Sequence, residues 1–294
     1  MKRFIRSDLA CEAGCDLSNI EGTEYSKVGR GVCTVEALSV NTEEAAVKLG
    51  HAMGNYVTVT SERLWLLSDE TVELISDIIS DQIKKMICKL CGIDKIAPDT
   101  SILVVGLGNR SITADALGPQ AVDLLMVTRH LNELDRTLFE DLGMCRLSAL
   151  TPGVLGKTGI ESSELIRATV ESVSPDAIIV IDALAAGTVE RLATTVQLSD
   201  TGIDPGAGIG NLRTRISEEA LGIPVLAIGI PTVVDSSTLV SDALLRANVS
   251  ELDEETLARL ENNRSFYVTP KETDLITERS AKLLSDAINK AMVI

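Results

Sequence analysis

Aromatic residues are scarce in this chain, at 2% of 294 residues, so its core has to be built from aliphatic side chains, alanine and glycine. That suits helices packed closely on a Val/Ile sheet. Histidine is scarcer still, with only His51 and His130. A Ser-His-Asp triad has little to draw on, and no serine sits in a G-x-S-x-G elbow. His130 follows Arg129 late in a predicted helix and reads as a surface or interface residue. No run of about 18 apolar residues free of charge occurs, so no membrane-spanning helix is expected. The opening MKRFIRSDLA is basic, but no apolar stretch follows, so no secretory signal is expected and the chain reads as cytoplasmic. Positive charge is short: 27 Lys and Arg against 43 Asp and Glu give a net charge of -16. Direct binding to a nucleic acid backbone needs clustered cations and is disfavoured. A basic protein partner or substrate is more compatible.

Cofactor motifs are incomplete. Gly106-Leu107-Gly108 follows an apolar strand, but the sixth position of a dinucleotide fingerprint is Ser111 rather than glycine. No GxxxxGK[ST] occurs. Six cysteines stand at Cys11, Cys15, Cys33, Cys88, Cys91 and Cys145. Cys88 and Cys91 form one CxxC on a helical stretch, with no second pair at zinc spacing, and they read as free thiols on a helix. No motif requires a metal or cofactor.

The apolar residues that are present alternate between strand and helix patterns. Residues 1–40 read as irregular. Tyr56–Thr60 is β-branched and reads as a strand. Glu70–Cys91 carries Val72, Ile75, Ile79, Ile83 and Ile87 near a 3.6 period, which predicts a long amphipathic helix. Beyond Ser101 the spacing predicts strands at Ile102–Val105, Cys145–Ala149, Ala177–Ile181, Thr194–Leu198 and Pro224–Ile228. Helices are predicted at Ala116–Leu134, Ser162–Val173, Asp235–Ala247 and Lys271–Met292. The acidic stretch Val249–Asn263 reads as a short surface helix. Continuous apolar strands alternating with helices predict an α/β fold: a single, mostly parallel sheet with helices on both faces. The motif-bearing core spans 100–294, with an N-terminal appendage to about residue 95.

Two strands each deliver an aspartate. Ser101–Pro119, SILVVGLGNRSITADALGP, leads from a strand through a Gly-X-Gly-Asn turn to Asp115. Ala177–Leu184, AIIVIDAL, closes on Asp182. Each could cap the helix after it. If the two carboxylates meet, one pKa rises, and the pair could activate water and protonate a leaving amine. Glycine-rich loops also follow strands, at Gly153, Gly156 and Gly159 and at Gly206, Gly208 and Asn211, with Pro231–Asp235 after another. All are expected at the carboxyl edge of the sheet, where ligands bind. Together with Gly106, Gly108 and Asn109 they are candidates for holding an extended peptide by its backbone.

The stretches GLGNRSITADALGP, LTPGVLGKTGIESSELI, IIVIDALAAGTVERLATTVQLSDTGIDPGAGIGN, LGIPVLAIGIPTVVD and VTPKETDLI, with RSDLACEA near the start, resemble the germination proteases of spore-forming bacteria. The resemblance runs from about Ser101 to Asp235 and returns at Val268–Ile276. It implies an atypical aspartic endopeptidase with a fold similar to hydrogenase-maturation peptidases. It implies action on small acid-soluble spore proteins in the forespore and spore core, made as a self-processing zymogen and assembled as a homotetramer. The family's two functional aspartates fall on Asp115 and Asp182. Family substrates are cut after an acidic residue and before a bulky apolar one. Ser7-Asp8-Leu9-Ala10 fits that pattern, so residues 1–8 are expected to be a pro-segment cut at Asp8-Leu9, with 9–294 as the peptidase domain. The sequence departs from the family at Ala114 (usually Pro), Gly187 (usually Arg) and Asp204 (usually His), and its 235–268 segment is short. Two rivals stand beside this reading. A nickel-dependent maturation peptidase needs a histidine ligand, and no histidine follows Asp182. A non-catalytic peptide-binding module would use the glycine loops alone.

Overall fold

A computed structural model of the chain describes residues 20–205, 214–247 and 266–294. They form one sheet of nine strands in the order β1-β2-β3-β7-β8-β6-β4-β5, with β9 paired to β8. The strands are β1 Thr23–Gly29, β2 Cys33–Val40, β3 Gly54–Ser61, β4 Ser101–Gly106, β5 Arg146–Leu150, β6 Ala177–Ala186, β7 Thr195–Ser199, β8 Val225–Asp235 and β9 Tyr267–Val268.

The centre follows from the apolar runs. β4, β5, β6 and β8 are parallel. Every residue of β4 is buried, and period-2 alternation divides each strand between two cores. Ile102, Val104, Ile179 and Ile181 belong to the larger core, under helices α2 (Asp69–Cys91), α3 (Leu117–Asp123) and α10 (Thr273–Ala291). Leu103, Val105, Ile178 and Val180 belong to a smaller core on the other face, closed by Ile166 and Val170 of α7 (Ser162–Val173). Helices therefore cover both faces of the parallel part.

The sheet as a whole is mixed rather than mostly parallel. The pairings β1–β2, β2–β3, β3–β7, β7–β8 and β8–β9 are antiparallel. Alternation encodes which face a residue takes but not the direction in which its strand runs. The first 40 residues were expected to be irregular, yet they contain the β1–β2 hairpin. β1 is an edge strand exposed along most of its length, so it lacks an apolar signature. The remaining helices are α1 (Glu43–Leu49), α4 (Arg129–Leu134), α5 (Arg136–Leu142), α6 (Leu155–Thr158), α8 (Glu218–Leu221) and α9 (Ser236–Arg246). The single helix expected over Ala116–Leu134 is two. Between them Met126 N–H donates to Asn289 Oδ1 and Thr128 N–H to Leu147 O, which draws the chain onto α10 and β5. The expected Val249–Asn263 helix lies outside the described residues.

α2 is the main strut of the larger core. Ser68 caps its start by accepting from Thr71 N–H. Ile75, Ile79, Ile83 and Ile87 are fully buried along one face. Cys88 and Cys91 lie on its last turn as half-buried free thiols. Ile83→Val deletes one methylene from this face and is expected to cost about 0.5–1.5 kcal/mol. Urea unfolding should show a lower midpoint with an unchanged m-value.

Candidate active site

β4 and β6 run side by side with Gly106 opposite Ile181. One step further, Leu107 N–H donates to Ile181 O at 2.8 Å. The chain then leaves β4 while β6 continues, so Asp182 stands beside the Gly-X-Gly turn. Asp182 does not end its strand as the sequence suggested. β6 runs on to Ala186, and Asp182 pairs with Gly229 of β8. It is buried, at 6% exposure, and its Oδ1 accepts from Ala183 N–H at 2.9 Å. It caps no helix.

Asp115 reaches the same place by another route. Gly108 takes φ +116°, and a Cβ there would lie 2.0 Å from Asp115 O, so only glycine lets the turn fold back on itself. Asn109 N–H then donates to Asp115 Oδ2 at 2.8 Å. Asp115 ends a 3-10 turn, Thr113–Asp115, and the N-cap of α3 is Ala116 with no side-chain cap. The capping role open to Asp115 in the sequence is therefore not the one it plays.

Asp115 and Asp182 line one cavity of about 490 Å³. Its floor is the sheet face opposite α2 and α10. Leu198, Ile228 and Ile181 point into the larger core, so their alternate neighbours Gln197, Ser199, Ala227, Gly229 and Asp182 face the cavity. Tyr56 of β3 extends the floor, and His51 and Arg215 complete the wall. Burial pushes the His51 pKa down, so its imidazole is neutral at pH 7. Burial, ahead of smaller contributions from neighbouring groups, pushes the Tyr56 phenol up; its hydroxyl donates to Ala52 O at 2.8 Å. Arg215 pairs with Asp204 at 3.1 Å and donates to Thr201 O. Among the described residues no three His, Cys, Asp or Glu side chains gather as a metal-binding cluster.

The other expected binding residues are scattered. Gly108 lines the cavity. Gly106 does not: a Cβ there would meet Gly118 O at 2.3 Å, which makes Gly106 the point where α3 crosses β4. Asn109 spends its side chain locally, accepting from Ser111 N–H. Gly156 lies in α6, with Gly153 before it and Gly159 after it, beyond β4 from the cavity; the Lys157–Ser111 hydrogen bond links this segment towards the site. The segment from Asp200 follows β7, which is antiparallel to β8, so it leaves from the opposite edge to the one expected. Pro231–Asp235, expected as a loop, is part of β8. Gly206, Gly208, Asn211, Asp8 and Leu9 lie outside the described residues. His51, Tyr56, Gln197 and Arg215 had no motif to mark them; they are gathered only by the β3–β7 and β7–β8 pairings.

The family model described as germination protease matches residues 7–247 of this chain. The germination protease of Clostridium acetobutylicum is 36% identical over 317 residues, covering 98% of this chain and 95% of that protein. That of Caldanaerobacter subterraneus is 38% identical over 319 residues, covering 98% and 94%. That of Priestia megaterium is 45% identical over 253 residues, covering 82% and 66%.

Proposed function

This chain belongs to the germination protease family, a family of peptidases, and from that premise we propose that it is an aspartic-type endopeptidase acting on small acid-soluble spore proteins in the germinating spore. One observation carries the catalytic part: Asp115 and Asp182 line the same cavity, together with Gly108 of the Gly106–Asn109 turn. Two carboxylates in one site divide the work. The ionised one takes a proton from water as it attacks the scissile carbonyl, and the protonated one gives its proton to the leaving amine. Asp182 is buried, at 6% exposure, and Asp115 is half-buried, so the two carboxylates sit in different surroundings.

The net charge of -16 makes broad attraction to an acidic-to-neutral substrate weak, so recognition rests on backbone and local contacts. The chain is made as a zymogen, cuts itself at Asp8-Leu9 and works as a homotetramer in the spore core. Among the described residues no helix is long and apolar enough to cross a membrane.

The test is direct. Full-length protein is incubated alone and with a purified small acid-soluble spore protein, and the products are read by mass spectrometry. A new N-terminus at Leu9 and substrate cuts after acidic residues are the expected results. An intact substrate would sink the activity, and a new terminus elsewhere would sink the processing site.

A further inference from the structure

The turn that carries Asp115 is short and sits ahead of α3. Its own backbone closes it with Asp115 N–H to Ile112 O at 2.8 Å and Ala116 N–H to Thr113 O at 3.2 Å. Two hydroxyls then bolt it to the rest of the molecule. Thr232 Oγ1 of β8 donates to Ala114 O at 2.6 Å. Thr277 Oγ1 of α10 donates to Thr113 O at 3.1 Å. The two threonines are 1% and 0% exposed. A threonine in a helix can satisfy itself on the carbonyl four residues back, as the half-buried Thr169 does on Leu165. Thr277 instead reaches a residue 164 positions away.

Thr232 also stands at an irregularity. Leu184 pairs with Pro231 and Ala185 with Val233, so Thr232 is the extra residue of a β-bulge facing β6. A bulge re-aims one side chain out of the alternation of its strand. Here it delivers a hydroxyl to the Asp115 turn, three residues beyond the Gly229 that pairs with Asp182. One strand thereby sets the positions of both aspartates.

We infer that Thr232 and Thr277 are positioning residues, holding the Asp115 turn in register with Asp182. The inference rests on the catalytic role proposed above for Asp115. A displacement of about 1 Å in a reacting group costs on the order of 100-fold in rate. Thr232→Val removes the hydroxyl while keeping the shape. It is expected to lower kcat about 10- to 100-fold on a small acid-soluble spore protein and to change KM far less, although Thr232 also lines the cavity. Thr232→Ser restores the hydroxyl without the methyl, so it should recover kcat even if it melts earlier. Thr277→Val should show the same split. Asp115→Asn is measured alongside. If Asp115→Asn abolishes cleavage while Thr232→Val and Thr277→Val keep wild-type kcat, the positioning role is overturned and the catalytic reading stands. If Thr232→Ser is as slow as Thr232→Val, packing rather than the hydrogen bond is responsible, and the inference fails. Should Thr232→Val not fold, Thr277→Val and Thr232→Ser decide by the same criteria. Normal cleavage by Asp115→Asn overturns the catalytic reading and the inference with it.

Discussion

Asp182→Asn is expected to lower kcat/KM on a protein substrate about 10²- to 10⁴-fold, the range that one general acid or base supplies. The substitution is close to isosteric. The carboxamide oxygen can still accept from Ala183 N–H, the bond that Asp182 Oδ1 makes at 2.9 Å. A neutral group is also easier to bury than a charge at 6% exposure. Melting temperature and circular dichroism should therefore stay near wild type, and the loss should appear in rate alone. Self-processing should fail together with substrate cleavage if both use the same pair, leaving full-length chain on a gel. Cleavage within about threefold of wild type, far short of that range, would remove Asp182 from the chemistry.

Gly118→Ala is expected to be strongly destabilising. A Cβ at Gly118 would lie 2.3 Å from Leu107 O, 2.6 Å from Leu107 N and 2.7 Å from Ile181 O. All three are backbone atoms, and two of them make the Leu107–Ile181 hydrogen bond that ties β4 to β6 beside Asp182. No side chain can swing aside to relieve the contact. Either α3 lifts off the sheet or the two strands part. The expected cost is at least about 3 kcal/mol, at the upper end of what overpacking does. Differential scanning calorimetry would read it at about 2–4 °C per kcal/mol for a large domain. Gly156→Ala is the control: nothing lies within 4 Å of a Cβ there, and the residue sits in α6. It should be neutral or slightly stabilising. Equal melting temperatures for the two variants would contradict the close-approach account of Gly118.

How far the sequence discloses this arrangement depends on the range of the signal. Ile102–Val105 and Ala177–Ile181 are legible because strands buried on both faces read as unbroken apolar runs. Asp115 and Asp182 stand out because each follows such a run, and the Gly106–Ile181 register brings them to one cavity. Strand direction is not legible. Thr195–Ser199 reads the same upwards or downwards, and its antiparallel pairing with β8 turns a parallel sheet into a mixed one and sends the segment after it to the other edge. Nor is the Thr232 bulge legible, since Pro231–Val234 resembles a loop until its pairing with β6 is seen. His51 and Tyr56 were assigned to an appendage because nothing local connects them with residues near Gln197 and Arg215.

The junction of β3 with β7 has a kinetic consequence. Asn55 N–H donates to Asp200 Oδ1 at 2.6 Å across 145 residues of chain. Closing so long a loop costs entropy before any contact offsets it, and pairings of high sequence separation form slowly. The βαβ units that bring Asp115 beside Asp182 are closer in sequence and can assemble first. On contact order, the two aspartates are expected to come together faster than the wall of Tyr56 and His51 closes over them. Closure of β3 onto β7 is the step that converts a pair of carboxylates into a bounded site.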